Sequence, residues 1–388
     1  MTHTWKDDYS ARIMKSAALP SAELVRGEGA YVWDSEGKRY LDFLGGIAVL
    51  SLGHAHPVLV AAVSEQIATL AHVSNYFATP PQLELAERLC RITGAGEQGR
   101  VYFCNSGAEA IEAAIKLSRR TGRPRILALN NSFHGRTMGS LSLTGKPALR
   151  EPFEPLLPNV EHIESTVEAL EAAMGPDVAA LFVEPIKGEA GVIDLPDGYL
   201  EAAREITARH GALLILDEIQ TGAGRTGAWF AFHKTGIEPD AIALAKGIGG
   251  GLPIGALVTF GAASDLLVAG QHGSTYGGNP LVTAAANAVL GEIERAGLVE
   301  NAERRGNEIR AALVGLPLVE EVRGQGLLIG VGLSKPVAAA VVTSAAAEGL
   351  IVNAPNDTSI RLAPPLIIGD SEVAEFITTF TKALEANA

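Results

Sequence analysis

The sequence predicts an α/β protein: a large region built on a mostly parallel central sheet, beside a smaller α+β region assembled from both chain ends. Three observations carry this reading. Short apolar runs alternate with helical patterns through the middle of the chain. Several of those runs stop at a polar residue or at Asn-Ser-Gly, the place where open α/β sheets bind ligands. Both ends of the chain abandon the alternation.

The elements follow in order. Up to about residue 50 the chain holds short extended pieces such as Ala30-Tyr31-Val32-Trp33, followed by the turn Ser35-Glu36-Gly37-Lys38. Strands are expected at 101–105, Arg125–Leu129, 178–184, 212–217 and 241–245. Leu213-Leu214-Ile215-Leu216 is apolar throughout, as a strand covered on both faces should be. Pro196-Asp197 should open a helix through Leu200, Ala203 and Ile206, which Gly211 closes. After about residue 290, a glycine-punctuated strand region at 326–333 precedes a helix at 337–348, with Pro336 in its first turn. The last helix places Val373, Phe376, Ile377, Phe380 and Leu384 on one face. Residues 1–50 and 281–388 are therefore assigned to a small domain, and 51–280 to a large one.

Composition narrows the function. With 388 residues, 47% hydrophobic and only 19% charged, the chain can bury a large core and is not a disordered protein. The net charge of −13, without any Lys/Arg block, argues against a nucleic-acid or anionic-membrane partner. No apolar run approaches the roughly 20 residues that span a bilayer, and the start lacks a signal-peptide core. A soluble, cytoplasmic protein is expected. Cys90 and Cys104 lack CxxC spacing and read as reduced thiols, Cys104 within a buried strand. His54-Ala55-His56 has no third ligand cluster, so no metal is expected.

Lys246 carries the most chemistry. It lies between the apolar run 240–245 and the cluster Gly247-Ile248-Gly249-Gly250-Gly251. Burial disfavours the charged ammonium and favours the nucleophilic amine, which can form a Schiff base with a carbonyl group. Taken alone, this segment equally fits a lysine that reaches water from a strand end. Asp217 stands at the end of a buried strand and needs a cationic partner, which a protonated pyridine nitrogen would provide. It lies 29 residues before Lys246, about one crossover, so neighbouring strands can present both to one ring. Ser106 is a natural N-cap for the helix after Asn105-Ser106-Gly107-Ala108-Glu109, whose free N–H groups suit a phosphate or simply a capped helix. Gly222-Ala223-Gly224-Arg225-Thr226-Gly227 fits the dinucleotide fingerprint, but it lacks the direct strand-to-helix context that motif requires. A nucleotide-dependent oxidoreductase built on it is the rival reading.

Asp217-Glu218-Ile219-Gln220-Thr221-Gly222, Gly224-Arg225-Thr226-Gly227 and Ala245-Lys246-Gly247 together resemble the class III, omega-amino-acid branch of the pyridoxal-phosphate aminotransferases. The likeness extends through Leu52-Gly53-His54-Ala55-His56-Pro57, Ser106-Gly107-Ala108-Glu109-Ala110, Phe133-His134-Gly135-Arg136-Thr137 and Glu184-Pro185-Ile186-Lys187-Gly188-Glu189. It continues in His272-Gly273-Ser274-Thr275-Tyr276-Gly277-Gly278-Asn279-Pro280 and Arg361-Leu362-Ala363-Pro364-Pro365. The compact length, Gly45-Gly46-Ile47-Ala48-Val49 and Ser74-Asn75-Tyr76-Phe77 look most like the members that take N2-acetyl-L-ornithine as donor in arginine biosynthesis. Ornithine, 4-aminobutyrate, succinylornithine and succinyldiaminopimelate remain alternative donors. Ile111 and Ala108 depart from the asparagine and threonine frequent at these places.

The resemblance implies a fold-type I enzyme that uses pyridoxal 5'-phosphate and is active as a homodimer. Lys246 would bind the cofactor covalently and then shuttle a proton, and Asp217 would keep the ring nitrogen protonated. Phe133 and Ile219 would cover the two ring faces. Glu218 belongs to the same cofactor-binding motif, and Gln220 would bond the 3'-oxygen. Ser106, Gly107 and Ala108 would cradle the phosphate, completed by Thr275 of the neighbouring subunit. Arg136, with Ser274 nearby, would clamp the donor's α-carboxylate. Arg361 would grip that of 2-oxoglutarate, and Glu189 would act as a switch on Arg361.

Overall fold

The computed structural model describes residues 4–388. Its centre is a seven-stranded sheet made of β1 (Arg100–Cys104), β2 (Arg125–Leu129), β3 (Val160–Ile163), β4 (Val178–Val183), β5 (Leu213–Asp217), β6 (Ala241–Leu244) and β7 (Gly255–Thr259), in the order β1-β7-β6-β5-β4-β2-β3. The pairs β6-β5, β5-β4, β4-β2 and β2-β3 are parallel, while β7 runs against both of its neighbours. The sheet is therefore mostly parallel, as expected. Every residue of β4 is buried, because helices cover both faces and leave no side for polar side chains. Strands β3 and β7 were not anticipated: β3 is short and half polar, with Glu161 and His162 adjacent, and β7 follows a glycine cluster that reads as loop.

The helices that matter to the site are α1 (Pro57–Thr69), α2 (Gly107–Arg119), α3 (Met138–Leu143), α4 (Tyr199–His210), α5 (Pro280–Arg295) and α6 (Asp370–Glu385). In α2 the small and branched residues Ala110, Ile111, Ala114, Leu117 and Ser118 are buried, and Ser106 caps the start by accepting from Glu109 N. Helix α4 ends at Gly211 as expected, in the left-handed region at φ 66°. It starts at Tyr199, later than Pro196-Asp197 suggests, because Gly198 sits at φ 76°, outside helical space. The helix expected at 337–348 begins at Ala338 with Val337 as cap, so Pro336 precedes the helix and does not lie in its first turn.

The two ends of the chain meet. Leu24–Glu28, Tyr31–Asp34 and Arg39–Asp42 form an antiparallel sheet, which Leu350–Ile351 joins in parallel beside Arg39–Asp42. A second sheet comprises Val319–Gln325, Leu328–Leu333, Ser359–Leu362 and Asn353–Asn356. Phe376 of α6 stacks on Phe43 with ring centroids 4.2 Å apart. Val373, Phe376, Phe380 and Leu384 are buried, and Ile377 is half-buried. Among the described residues, no helix is long and apolar enough to cross a membrane.

Candidate active site

The carboxyl ends of β1, β4, β5 and β6 converge on a cavity of about 370 Å³. Asn105, Ser106, Gly107 and Ala108 enter it from β1 and the start of α2, Phe133 and His134 from the loop after β2, and Glu184 from the end of β4. Asp217, Ile219 and Gln220 follow β5, and Lys246 follows β6. Because β5 and β6 are parallel neighbours, with Asp217 opposite Ala243, the carboxylate and the amine emerge side by side.

Lys246 has φ +46°, a left-handed conformation that only glycine adopts without strain. Such strain is retained where surrounding packing dictates it, commonly at functional sites. Desolvation lowers the ammonium's pKa, against the opposing pull of the Glu189 and Asp217 carboxylates. Asp217 Oδ2 lies 2.7 Å from His134 Nδ1, and its Oδ1 accepts from Ile219 N at 3.1 Å. His134 is buried, which opposes its protonation, but the hydrogen bond and charge of Asp217, with Glu184 nearby, win and raise its pKa. Its Nε2 is buried without a partner. The sequence reading gave His134 no role, since a histidine between phenylalanine and glycine has no pattern of its own.

Glu184 Oε1 accepts from Phe133 N at 2.6 Å and so fixes the aromatic residue at the cavity wall. Burial pushes the Glu184 carboxyl up to about 7, with the neighbouring His134 opposing and Asp217 reinforcing. Glu189 lines the cavity, while Arg361, 1% exposed and not itself part of the wall, lies behind it, paired with Glu189 and donating through Nε to Asn353 Oδ1 at 3.1 Å. Its Nη1 also reaches Gln220 Oε1 at 3.3 Å. Burial works to raise the Glu189 pKa, but the guanidinium of Arg361 outweighs it and holds the carboxylate below its ordinary range.

Two glycines are required by close approach. A Cβ at Gly107 would lie 2.7 Å from Ile219 Cδ1, and one at Gly188 would overlap Gln220 Oε1. The start of α2 and the Gln220 amide are thus seated by the absence of side chains opposite them.

Other expected residues lie apart from the cavity wall. Arg136 is exposed, with its guanidinium carbon 5.4 Å from the centroid of the Phe133 ring. Ser274 Oγ accepts from Asn105 Nδ2 at 3.0 Å, which brings it beside the start of α2. Thr275 does not line the cavity of its own chain; it is exposed and borders a crevice with Ser74, Asn75 and Phe77. Glu218 corrects the expectation: it does not reach the cavity. The residue next to Asp217 turns to the opposite face, where it accepts from Phe232 N at 2.9 Å and from the Thr221 hydroxyl. Burial pushes its carboxyl up to about 7.

The glycine run 222–227 forms successive turns, followed only by a short 3-10 turn at Ala231–Lys234 and not by an α-helix. Within it Arg225 is fully enclosed, donating to the carbonyl oxygens of Leu327 at 3.2 Å and of Pro364, with Nη2 unpartnered. His54 Nε2 lies 2.9 Å from Asp42 Oδ2. Cys104 is buried in β1, and burial pushes its thiol up to about 12, which leaves it inert.

An α/β enzyme with a desolvated lysine and a buried aspartate at adjacent strand ends, and a cavity-lining glutamate paired with a buried arginine, is what fold and site define. The family model for class-III aminotransferases matches residues 13–384, and the chain belongs to that family. It is 52% identical to the acetylornithine aminotransferase of Mycobacterium leprae, over 100% of this chain and 96% of the relative. Among solved structures, the N-acetylornithine aminotransferase of Stenotrophomonas maltophilia superposes with TM-score 0.84 at 37% identity, covering 98% of each chain. The ornithine aminotransferase of Toxoplasma gondii, with partial occupancy of PLP at its active site, gives 0.93 at 34% identity, covering 99% of this chain and 95% of its own.

Proposed function

We propose that the protein transfers the δ-amino group of N2-acetyl-L-ornithine to 2-oxoglutarate, giving N-acetyl-L-glutamate 5-semialdehyde and L-glutamate, a step of arginine biosynthesis. The cofactor is pyridoxal 5'-phosphate. The observation that carries the reading is the emergence of Lys246 and Asp217 from neighbouring strand ends into a cavity also lined by Glu189, the partner of Arg361.

The residues fit that cofactor. Lys246 supplies the amine, Asp217 the buried anion that a protonated ring nitrogen needs, and α2 the N–H groups for a phosphate beside Ser106, Gly107 and Ala108. When bound, the cofactor supplies an electron sink for the carbanion at the substrate carbon that carries the amine. Lys246 Nζ, whose desolvation lowers the ammonium's pKa and so favours the free amine, would move the proton of that carbon. Asp217, oriented by His134 and Ile219 N, holds its charge in place throughout. Phe133 and Ile219 line the cavity as apolar walls that exclude water.

Two carboxylate grips divide the substrates. Arg136 would hold the donor's α-carboxylate near Ser274. Arg361 would hold that of 2-oxoglutarate once Glu189 leaves it, so one cavity handles a distal amine and an α-keto acid in turn. Thr275 would act on the phosphate of the neighbouring subunit in a homodimer. Exposed aromatic residues near Thr275 accord with that assembly: Phe77 borders the same crevice as Thr275, and its neighbour Tyr276 is exposed.

The test is a donor panel with purified enzyme and 2-oxoglutarate. Acetylornithine should have the highest kcat/KM among ornithine, 4-aminobutyrate, succinylornithine and succinyldiaminopimelate. Preference for any other donor would overturn the substrate assignment and leave the aminotransferase intact.

A further inference from the structure

One residue, Thr137, separates Arg136 from the short helix α3, and that helix has no side-chain cap from its own N-cap residue. The Thr137 side chain makes no capping hydrogen bond to α3. The free N–H groups are met by Glu112, a residue of α2. Its Oε1 accepts from Gly139 N at 2.9 Å, from Ser140 N at 3.2 Å and from Thr137 Oγ1 at 2.5 Å. A carboxylate is favoured there both by the orphan donors and by the positive end of the helix. Position 139 has to be small: a Cβ on Gly139 would come within 2.2 Å of Glu112 Oε2.

The segment from Phe133 to Ser140 is consequently held at both ends, by Glu184 at Phe133 N and by Glu112 at 137–140. Arg136 sits between the two anchors. Helix α2, which carries Glu112, also supplies the Ser106-Gly107-Ala108 end of the cavity. A single rigid element therefore sets the spacing between the exposed guanidinium and the start of α2.

We propose that Glu112 is a positioning residue that sets the length of donor the enzyme accepts, by fixing Arg136 relative to the start of α2. This rests on the reading of Arg136 as the donor-carboxylate grip. Arg361 is anchored separately through Asn353 and Glu189, so the grip on the acceptor's α-carboxylate does not depend on Glu112, whereas the acceptor's second carboxylate points toward Arg136.

The experiment compares E112A and E112Q with the unaltered holoenzyme, using N2-acetylornithine, the donors one methylene shorter and longer (N2-acetyl-2,4-diaminobutyrate and N2-acetyllysine), and 2-oxoglutarate. E112A should raise the KM for acetylornithine by about tenfold or more and compress the preference for it over its two homologues. The cofactor's absorbance should stay unchanged, and the KM for 2-oxoglutarate should rise less than that for acetylornithine, because Arg361 keeps its own anchors. E112Q, which keeps an acceptor oxygen but loses the charge, should fall between. T137V, at an exposed position, removes one of the three bonds and should give a smaller shift of the same kind should E112A fold poorly. An unchanged length preference, or a changed cofactor absorbance, would overturn the proposal. Failure of the unaltered enzyme to use acetylornithine would instead sink the substrate assignment.

Discussion

His134 Nδ1 and Asp217 Oδ2 meet at 2.7 Å inside the protein, and neither side chain reaches solvent to any useful degree. The pair orders the one carboxylate on which the site's electrostatics rest. Replacing His134 by phenylalanine leaves Asp217 with only the Ile219 amide as donor. The expected outcome is a ten- to hundredfold weaker affinity for pyridoxal phosphate, roughly the cost of one unmade buried charged hydrogen bond. Fluorescence titration of the apoenzyme measures it; an unchanged affinity would mean that Asp217 needs no support.

Lys246→Ala should keep the fold and lose the chemistry. Turnover should fall on the order of 10⁴-fold, the upper range for removing a positioned proton carrier. Borohydride treatment should no longer fix the cofactor to the chain, which intact-mass measurement reads directly. Retained activity or a retained mass increment would refute the assignment of this lysine.

Glu189→Ala removes the partner of Arg361. The half-reaction with the omega-amine should suffer selectively, while glutamate competes more strongly for the freed guanidinium. Single-turnover spectra of the two half-reactions separate these effects, and equal losses in both would rule out a switch.

Glu218 gives a pH signature. Its pKa is raised from 4.5 in the free group to about 7 in the fold, so its neutral form is favoured by folding. That contribution is fully present below about 4.5 and is lost as pH rises through about 7, amounting to at most about 3 kcal/mol. Glu218→Gln keeps the acceptor for Phe232 N and cannot titrate. Its melting temperature should gain on the natural protein's between these limits; a constant difference would show that Glu218 does not titrate there.

Arg225→Met leaves the Leu327 and Pro364 carbonyl oxygens without their donor. Denaturant unfolding should show a loss of about 2–4 kcal/mol. A neutral result would mean that the apolar replacement offsets the cost of burying a guanidinium whose own pKa burial pushes down to about 9.

Much of this was legible in the sequence, for physical reasons. Strands β2, β4, β5 and β6 announce themselves as unbroken apolar runs because both faces are covered, and Gly211 stops α4 where only glycine fits. The convergence of Ser106, Phe133, Asp217, Gln220 and Lys246 follows from parallel strands ending on one edge. Strand β7 was not legible, since one of its partners, β1, lies far away in sequence and its entry is dominated by glycine with a proline. Glu218 was misplaced by reading a motif as one unit, although strand alternation sends adjacent side chains to opposite faces. His134 and Glu112 act through distant partners, Asp217 and the start of α3, which no local pattern reveals.

The parallel pairing of Leu350 with Leu41 has a consequence for biogenesis. A ribosome must deliver nearly the whole polypeptide before the first sheet can acquire its last strand. Until then the early hairpins have an unsatisfied edge, a state prone to wrong partners. Slow maturation, and a need for chaperone protection of nascent chains truncated before residue 350, follow from that one long-range seam.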